Sequence, residues 1–195
     1  MAIPTSPRCA RGSWRFRLPY TPEPQEGAPV YVFYLFLGHV ARWTGLPLMA
    51  VYHAARVVGG GTLALALYAL AGRIGDDVRE QRAAFLLAML GSGLGWLVIF
   101  FGYETADLWV SEAFPVYALL VNAHFPLSIG LMIWLAYCGL QVDAHEDPAA
   151  LWVGSMILSA VALGAIQPFG LLAAFGGLGV MLAVRVGRAV FSPGD

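Results

Sequence analysis

LMAVYHAARVVGGGTLALALYALA, residues 48–71, is the apolar stretch that decides the fold class of this chain. A helix needs roughly 20 apolar residues to cross about 30 Å of hydrocarbon, and this stretch is long enough. It shows none of the period-two alternation that is typical of a membrane β-strand. The stretch therefore predicts a membrane-spanning α-helix.

The composition of the whole chain indicates the same environment. Apolar residues make up 59% of the 195 residues, and the mean hydropathy is +0.70. A soluble domain of this length has too small a core to hide so much apolar surface. The formal net charge is -1 and no basic run occurs, so we expect no nucleic-acid partner. The sequence predicts an all-α, polytopic integral membrane protein.

Further apolar stretches predict a bundle of about five spans between residues 46 and 192. The apolar run after Pro148 is too long for one span, and Gln167-Pro168 near its centre predicts a break between two helices. The predicted spans are 48–71, 83–101, 127–142, 149–166 and 169–188.

Two segments precede the bundle. Residues 1–27 are rich in proline and arginine, which predicts an irregular segment outside the bilayer. Residues 28–45 are apolar over too short a length to span, and Arg42 and Trp43 near the end favour the headgroup level. We predict an interfacial helix there.

Arginine placement predicts the orientation. Arg73, Arg79 and Arg82 cluster at residues 72–82, as expected for a cytoplasmic turn, whereas residues 102–112 contain no Arg or Lys. The sequence thus predicts a multi-pass protein of the cell inner (cytoplasmic) membrane, with residues 102–126 on the outer side.

Residues 102–126, GYETADLWVSEAFPVYALLVNAHFP, gather acids and other polar residues between two apolar segments. Glu104 and Asp107 offer the hard oxygen ligands that a divalent cation such as Mg or Mn prefers. The alternative is a solvated acidic loop without a metal. Asn122 and His124 follow at the entry to the next span and are candidate substrate-binding residues.

His53 and Arg56 lie one helical turn apart in the first span and therefore share a face. Arg56 could snorkel to the interface, or its guanidinium could bind a phosphate. Under the second hypothesis His53 and Arg56 join Asn122 and His124 as substrate-binding residues. No residue stands out as catalytic.

Three segments carry a resemblance to polytopic membrane glycosyltransferases of the GT-C type, represented by uncharacterised bacterial members. They are SWRFRLPYTPEPQEGAPVYVFYLFLGHVAR, LGSGLGWLV and LLVNAHFPLSIGLMIWL, and the resemblance covers about residues 13–185 by pattern. In such enzymes a catalytic or metal-binding acid follows the first span. No span precedes residues 1–27 and no Asp occurs before Asp76, so the first span and first catalytic loop have no counterpart in this sequence.

The resemblance implies sugar transfer from a polyprenyl-phosphate-linked donor at the outer face of the membrane, by this chain or by a longer protein of which it is a fragment. Glu104 and Asp107 would then occupy the second acidic site of such enzymes. Membrane lipid and a lipid-linked sugar donor are the implied partners. The alternative is a small non-enzymatic subunit for assembly or transport, in which the same loop contacts other membrane subunits.

Overall fold

Helices make up every regular secondary-structure element in the described part of the chain. This computed structural model describes residues 14–17, 24, 26–91, 95–105, 110, 114–144 and 150–191. The all-α prediction is confirmed for these residues. The helices are α1 (Val32–Thr44), α2 (Leu48–Ala71), α3 (Val78–Leu90), α4 (Pro115–Val121), α5 (His124–Ala144), α6 (Ala150–Ile166) and α7 (Pro168–Phe191).

Helices α2 and α5 form the centre of the bundle and run parallel. Gly59 on α2 lies against Leu127 on α5, and one turn further Leu63 lies against Gly130, so the residue numbers rise together. A Cβ atom at Gly130 would stand 2.9 Å from the Leu63 backbone nitrogen, closer than real side chains come. Glycine at these contacts lets two helix backbones approach, as small residues do between membrane helices.

Helix α6 packs antiparallel to α5, and α7 packs parallel to it. The Trp134 indole N–H donates to Ser155 Oγ at 2.8 Å, and Tyr137 contacts Trp152 edge-on. Later residues of α5 therefore contact earlier residues of α6, as expected for antiparallel helices. Gly139 of α5 lies against Leu178 of α7. Only 6% of the apolar window of α7 is buried, so this helix lies at the edge of the described bundle.

Gln167 separates α6 from α7. Helix α6 ends at Ile166 and α7 begins at Pro168. A proline suits the first position of a helix, because the N–H that it lacks has no intrahelical partner there. The N–H of Gly170 donates to the Gln167 carbonyl at 2.9 Å and closes the turn. The predicted break at Gln167-Pro168 is confirmed.

Helix α1 packs on the beginning of α2, at what we call the α1 end of the bundle. It is preceded by Tyr31, with φ 58°, and followed by Gly45, with φ 69°, so both of its boundaries are in the left-handed region. The sequence predicted a helix within residues 28–45, and the structure has one there, at Val32–Thr44. The α1 end of the bundle has a buried hydrophobic core. It contains side chains from α1 and α2 and from the residue that precedes α5: Phe33, Leu37, Val51, Tyr52 and Ala123.

A short stretch of the N-terminal segment contacts α1. Phe16 and Ala28 exchange two backbone hydrogen bonds, at 2.8 and 3.0 Å. Trp14 stacks on the ring of His39, with ring centroids 4.2 Å apart, and His39 is only 6% exposed. These contacts attach residues 14–17 to the helix that covers the α1 end.

The opposite end of the bundle, which we call the loop end, holds the turn between α2 and α3. The carboxylate of Asp77 caps α3 by accepting hydrogen bonds from the N–H groups of Arg79 (2.6 Å) and Glu80 (2.9 Å). Helix α3 ends at Leu90, where Gly91 turns away with ψ 125°. An α-helical turn, Gly95–Val98, and a 3-10 turn, Ile99–Phe101, follow, so the predicted span 83–101 is not one continuous helix.

Three of the described helices are long and apolar enough to cross a membrane, as expected for an integral membrane protein. They are Leu48–Ala71, His124–Val142 and Pro168–Gly187, and the apolar helix Ala150–Ile166 is shorter. The spans predicted at 48–71, 127–142, 149–166 and 169–188 each coincide with a helix within a few residues. The total of five spans stays a prediction.

Candidate functional site

Four side chains from three helices meet at the α1 end, and we call them the tyrosine cluster: Tyr34 of α1, Tyr52 and Arg56 of α2, and His124 of α5. The Tyr34 hydroxyl lies 2.7 Å from His124 Nδ1. The rings of Tyr34 and Tyr52 are stacked, with centroids 6.4 Å apart and an interplanar angle of 18°. The cluster forms because α1 lays its buried face on the first turns of α2, beside the beginning of α5.

Arg56 contacts the cluster through Tyr52, one turn before it on the same face of α2. Its Nη2 donates to the Tyr52 hydroxyl at a long 3.4 Å, and its guanidinium carbon stands 5.2 Å from the centroid of the Tyr52 ring. The Nε atom of Arg56 is buried and has no hydrogen-bond partner among the described residues. Because Tyr52 is 4% exposed, this contact directs the guanidinium toward protein and not into lipid.

The protonation state of Tyr34 follows from its surroundings. Burial raises the pKa of the Tyr34 hydroxyl, the neighbouring Tyr52 raises that pKa further, and the positive charge of Arg56 acts in the opposite direction. The net effect is a raised pKa, so Tyr34 remains a neutral phenol at any physiological pH. A neutral phenol can donate a hydrogen bond as well as accept one.

The other predicted substrate-binding residues lie close to the cluster in the chain but take different positions. His53 is exposed, although its ring meets Tyr52 edge-on at 5.7 Å. Asn122 is half-buried and directly follows the last residue of α4, two residues before His124. Of the predicted substrate-binding residues, Arg56 and His124 are thus the two that flank the stacked tyrosines.

Of the two predicted metal ligands, the structure describes one. Glu104 is exposed and follows the 3-10 turn, and Asp107 lies outside the described residues. Within the described ranges no three His, Cys, Asp or Glu side chains lie close enough to hold a metal ion. Because Asp107 lies outside the described residues, the Mg or Mn site stays a prediction.

Sequence reasoning missed the two tyrosines that organise the site. Tyr52 precedes Arg56 by four residues, the spacing at which side chains meet on a helix, so the pattern could have been found in the sequence. Tyr34 gives no such signal. It is 90 residues from His124, and the two meet only because α1 folds back on the bundle.

A groove between α2, α5 and α6 lies away from the cluster. It encloses about 640 Å³ and is lined mainly by apolar side chains, including Leu65 and Leu158, with the hydroxyls of Ser155 and Ser159 among them. The side chains of Leu65 and Leu158 are 70% and 72% exposed. Among the described residues that line this groove there is no Asp, Glu, His, Lys or Arg, and Tyr68 contributes a phenol, so the groove mainly offers surface to apolar chains.

No protein-family model matches the chain, and comparison with curated proteins and with solved structures found no match either. The tyrosine cluster is the candidate functional site in the described part of the chain. Its chemistry is that of one guanidinium, two phenols and one imidazole close to the end of three apolar helices.

Proposed function

We propose that the chain is a membrane glycosyltransferase-like protein, or a fragment of one, that acts on a polyprenyl-phosphate-linked sugar at the outer face of the cell inner membrane. The observation that carries the proposal is Arg56. Its buried Nε has no partner among the described residues, and its Nη2 makes only a long contact to Tyr52. Leaving a buried donor unsatisfied costs about 1–3 kcal/mol, and more for a charged group.

A phosphate oxygen is the acceptor that suits this position. A guanidinium donates two parallel hydrogen bonds to phosphate, and such charge-assisted bonds are roughly twice as strong as neutral ones. Arg56 lies about two turns after the beginning of α2, so its long side chain can extend toward the nearer membrane interface.

The chemical role of Arg56 follows from the reaction. Transfer of the sugar breaks the bond between its anomeric carbon and the phosphate oxygen, and the same carbon bonds to the acceptor hydroxyl. The hydroxyl proton goes to a base, and negative charge develops on the departing phosphate. A guanidinium placed at that phosphate stabilises the charge as it forms. The metal site at Glu104 and Asp107 stays a prediction.

Binding of a short-chain polyprenyl phosphate to the protein in nanodiscs tests the proposal. We expect Arg56→Lys to weaken binding because the planar fork is lost, and Arg56→Ala to weaken it by about tenfold or more. Arg73→Ala is the matched control, since Arg73 is exposed at the loop end. Equal affinity of the wild type and both Arg56 variants, in folded protein, would reduce Arg56 to a snorkelling anchor.

A second function is favoured by a different observation, the exposure of α7. Only 6% of its apolar window is buried within the described bundle, so most of the helix is available to lipid or to another membrane subunit. On this reading the chain is a non-enzymatic subunit for assembly or transport. Incubation with a polyprenyl-phosphate-linked sugar and an acceptor discriminates the two, because a subunit releases no polyprenyl phosphate, whereas a transferase does.

A further inference from the structure

The groove between α2, α5 and α6 opens on the outer surface of the bundle. Leu65 on its α2 side and Leu158 on its α6 side both line it and are both largely exposed. On α2 the lining residues begin at Thr62 and end at Ala69, a length of about 10 Å along the helix axis. Because α2 continues only to Ala71, the groove reaches the loop end of the bundle.

Two of the hydroxyl groups that line the groove have partners within the protein. Thr62 Oγ1 donates to the Val58 carbonyl at 3.0 Å, and Ser155 Oγ accepts from the indole N–H of Trp134 at 2.8 Å. Most of the remaining lining is apolar. The groove therefore suits a hydrocarbon chain, which brings no polar group that would need a partner there.

The size of the groove favours a lipid chain over a helix of another protein. The groove encloses about 640 Å³. A helix about 10–12 Å wide would occupy roughly 800–1,200 Å³ over the same length of about 10 Å. A helix can therefore cover only the mouth of the groove, whereas a flexible hydrocarbon chain can reach its floor. An unfilled groove would lose the dispersion contacts of its lining atoms, so in a bilayer a lipid chain is the favoured occupant.

Aromatic rings indicate that the loop end of the groove lies at the level of the lipid headgroups. Tyr68, in the last turn of α2, lines the groove and meets Phe85 of α3 edge-on at 5.6 Å. Trp134 also lines the groove, and its ring lies 6.5 Å from that of Trp152 in the first turn of α6. Tyrosine and tryptophan are enriched where a membrane meets water.

Arg82 places a positive charge at this level. It is exposed and lies one turn before Phe85 on α3, nearer the loop end, so it shares the helix face that meets Tyr68. Two acids of the adjoining turn are engaged by backbone N–H groups, because Asp77 caps α3 and Glu80 accepts from the residue before Asp77. The apolar groove thus has an arginine beside its headgroup end.

We propose that this groove binds one glycerophospholipid with an anionic headgroup, from the leaflet at the loop end of the bundle. Its acyl chain lies between α2, α5 and α6, and its phosphate lies at the level of Arg82. The site is at the opposite end from the tyrosine cluster, so it does not depend on the proposed sugar transfer. One arginine near a membrane surface gives a preference for anionic over zwitterionic lipid of about fivefold.

Native mass spectrometry of the full chain, extracted from vesicles of equal parts phosphatidylglycerol and phosphatidylcholine, tests the proposal. We expect one retained phospholipid per protein molecule, with phosphatidylglycerol favoured about fivefold. Arg82→Ala should remove this preference, whereas Arg42→Ala, which changes an exposed arginine at the α1 end, should keep it. A wild type that retains the two lipids equally, or retains neither, would overturn the proposal without reference to any variant.

Filling the groove tests where the lipid binds. Ala69→Phe places a ring where the acyl chain would lie and should lower retention about tenfold. Ala173→Phe, on the exposed surface of α7, is the matched control and should leave retention unchanged. Leu158→Ala removes an exposed lining side chain, so the protein should still fold, and retention should fall about twofold to tenfold.

Two results would contradict this location. Full retention in folded Ala69→Phe and Leu158→Ala proteins would show that the lipid binds elsewhere. A wild-type dimer that carries no lipid and dissociates in Ala69→Phe would assign the groove to a second copy of the chain.

Discussion

At the scale of single residues, the close packing of α2 and α5 depends on glycines, which have no side chain at the contact. Gly130 shows this most clearly, because a Cβ atom there would stand 2.9 Å from the Leu63 nitrogen and 3.0 Å from the Leu63 Cα. Both atoms belong to the α2 backbone, so no side-chain rotation can relieve the contact. The glycine therefore sets the distance between the two central helices.

Gly130→Ala should accordingly destabilise the protein. Helix propensity alone would favour alanine by up to about 1 kcal/mol, but overpacking against backbone costs about 1–3 kcal/mol, so the net effect is a loss of stability. Thermal unfolding of the purified protein in detergent measures it. Gly176→Ala is the matched control, because nothing lies within 4 Å of a Cβ at Gly176. Equal unfolding temperatures for the two variants would contradict the close packing of α2 and α5.

At the scale of elements, α3 is a helix outside the buried core whose first turn is stabilised by a side-chain cap. No described side chain of α3 is buried, and the helix begins with Asp77, whose carboxylate accepts from the N–H groups of Arg79 and Glu80. Glu80 in turn accepts from the N–H of Asp76 at 2.8 Å. Because packing contributes little here, capping should decide whether this turn stays formed.

Replacing Asp77 by Ala should therefore open the first turn of α3, with a loss of about 1 kcal/mol. Asp77→Asn keeps a side-chain oxygen and should retain most of the cap. Amide hydrogen exchange at Arg79 and Glu80 is the measurement, and faster exchange is expected in Asp77→Ala alone. Asp76→Ala, which removes no capping oxygen, serves as the control. Unchanged exchange in Asp77→Ala would show that α3 is held by contacts other than its cap.

At the scale of the whole molecule, the helix directions place the tyrosine cluster and the charged turn between α2 and α3 at opposite ends of the bundle. Helices α2, α5 and α7 run parallel, so the beginnings of α2 and α5, with the tyrosine cluster, lie at the α1 end. The turn that carries Arg73, Asp76 and Asp77 lies at the loop end. The positive-inside rule then predicts that the loop end is cytoplasmic and the cluster external.

Cysteine labelling of intact cells with a membrane-impermeant reagent tests this orientation. In a Cys9→Ser, Cys138→Ser background, we expect Asp76→Cys to remain unlabelled until the cells are opened, and Tyr103→Cys to react at once. Asp76 and Tyr103 are both exposed, so accessibility to the reagent depends on the side of the membrane. Labelling of Asp76→Cys alone in intact cells would invert the orientation and remove the cluster from the outer face.

Several features of this fold follow from local sequence alone. The apolar stretch 48–71 coincides with α2 at both ends, and the helix break at Gln167-Pro168 was predictable, because apolar length and proline chemistry act within one segment. Arg56 and His124 were likewise visible as polar residues next to apolar stretches.

Only the tertiary structure decided that Arg56 and His124 belong to one cluster. The physical reason is that the cluster depends on contacts between helices, which hydrophobic patterns do not specify. Tyr34 reaches His124 because α1 folds onto the start of α2, and α2 meets α5 closely because Gly59 and Gly130 leave room for backbone contact. Sequence determined most of the long apolar helices, and packing determined which polar groups those helices bring together.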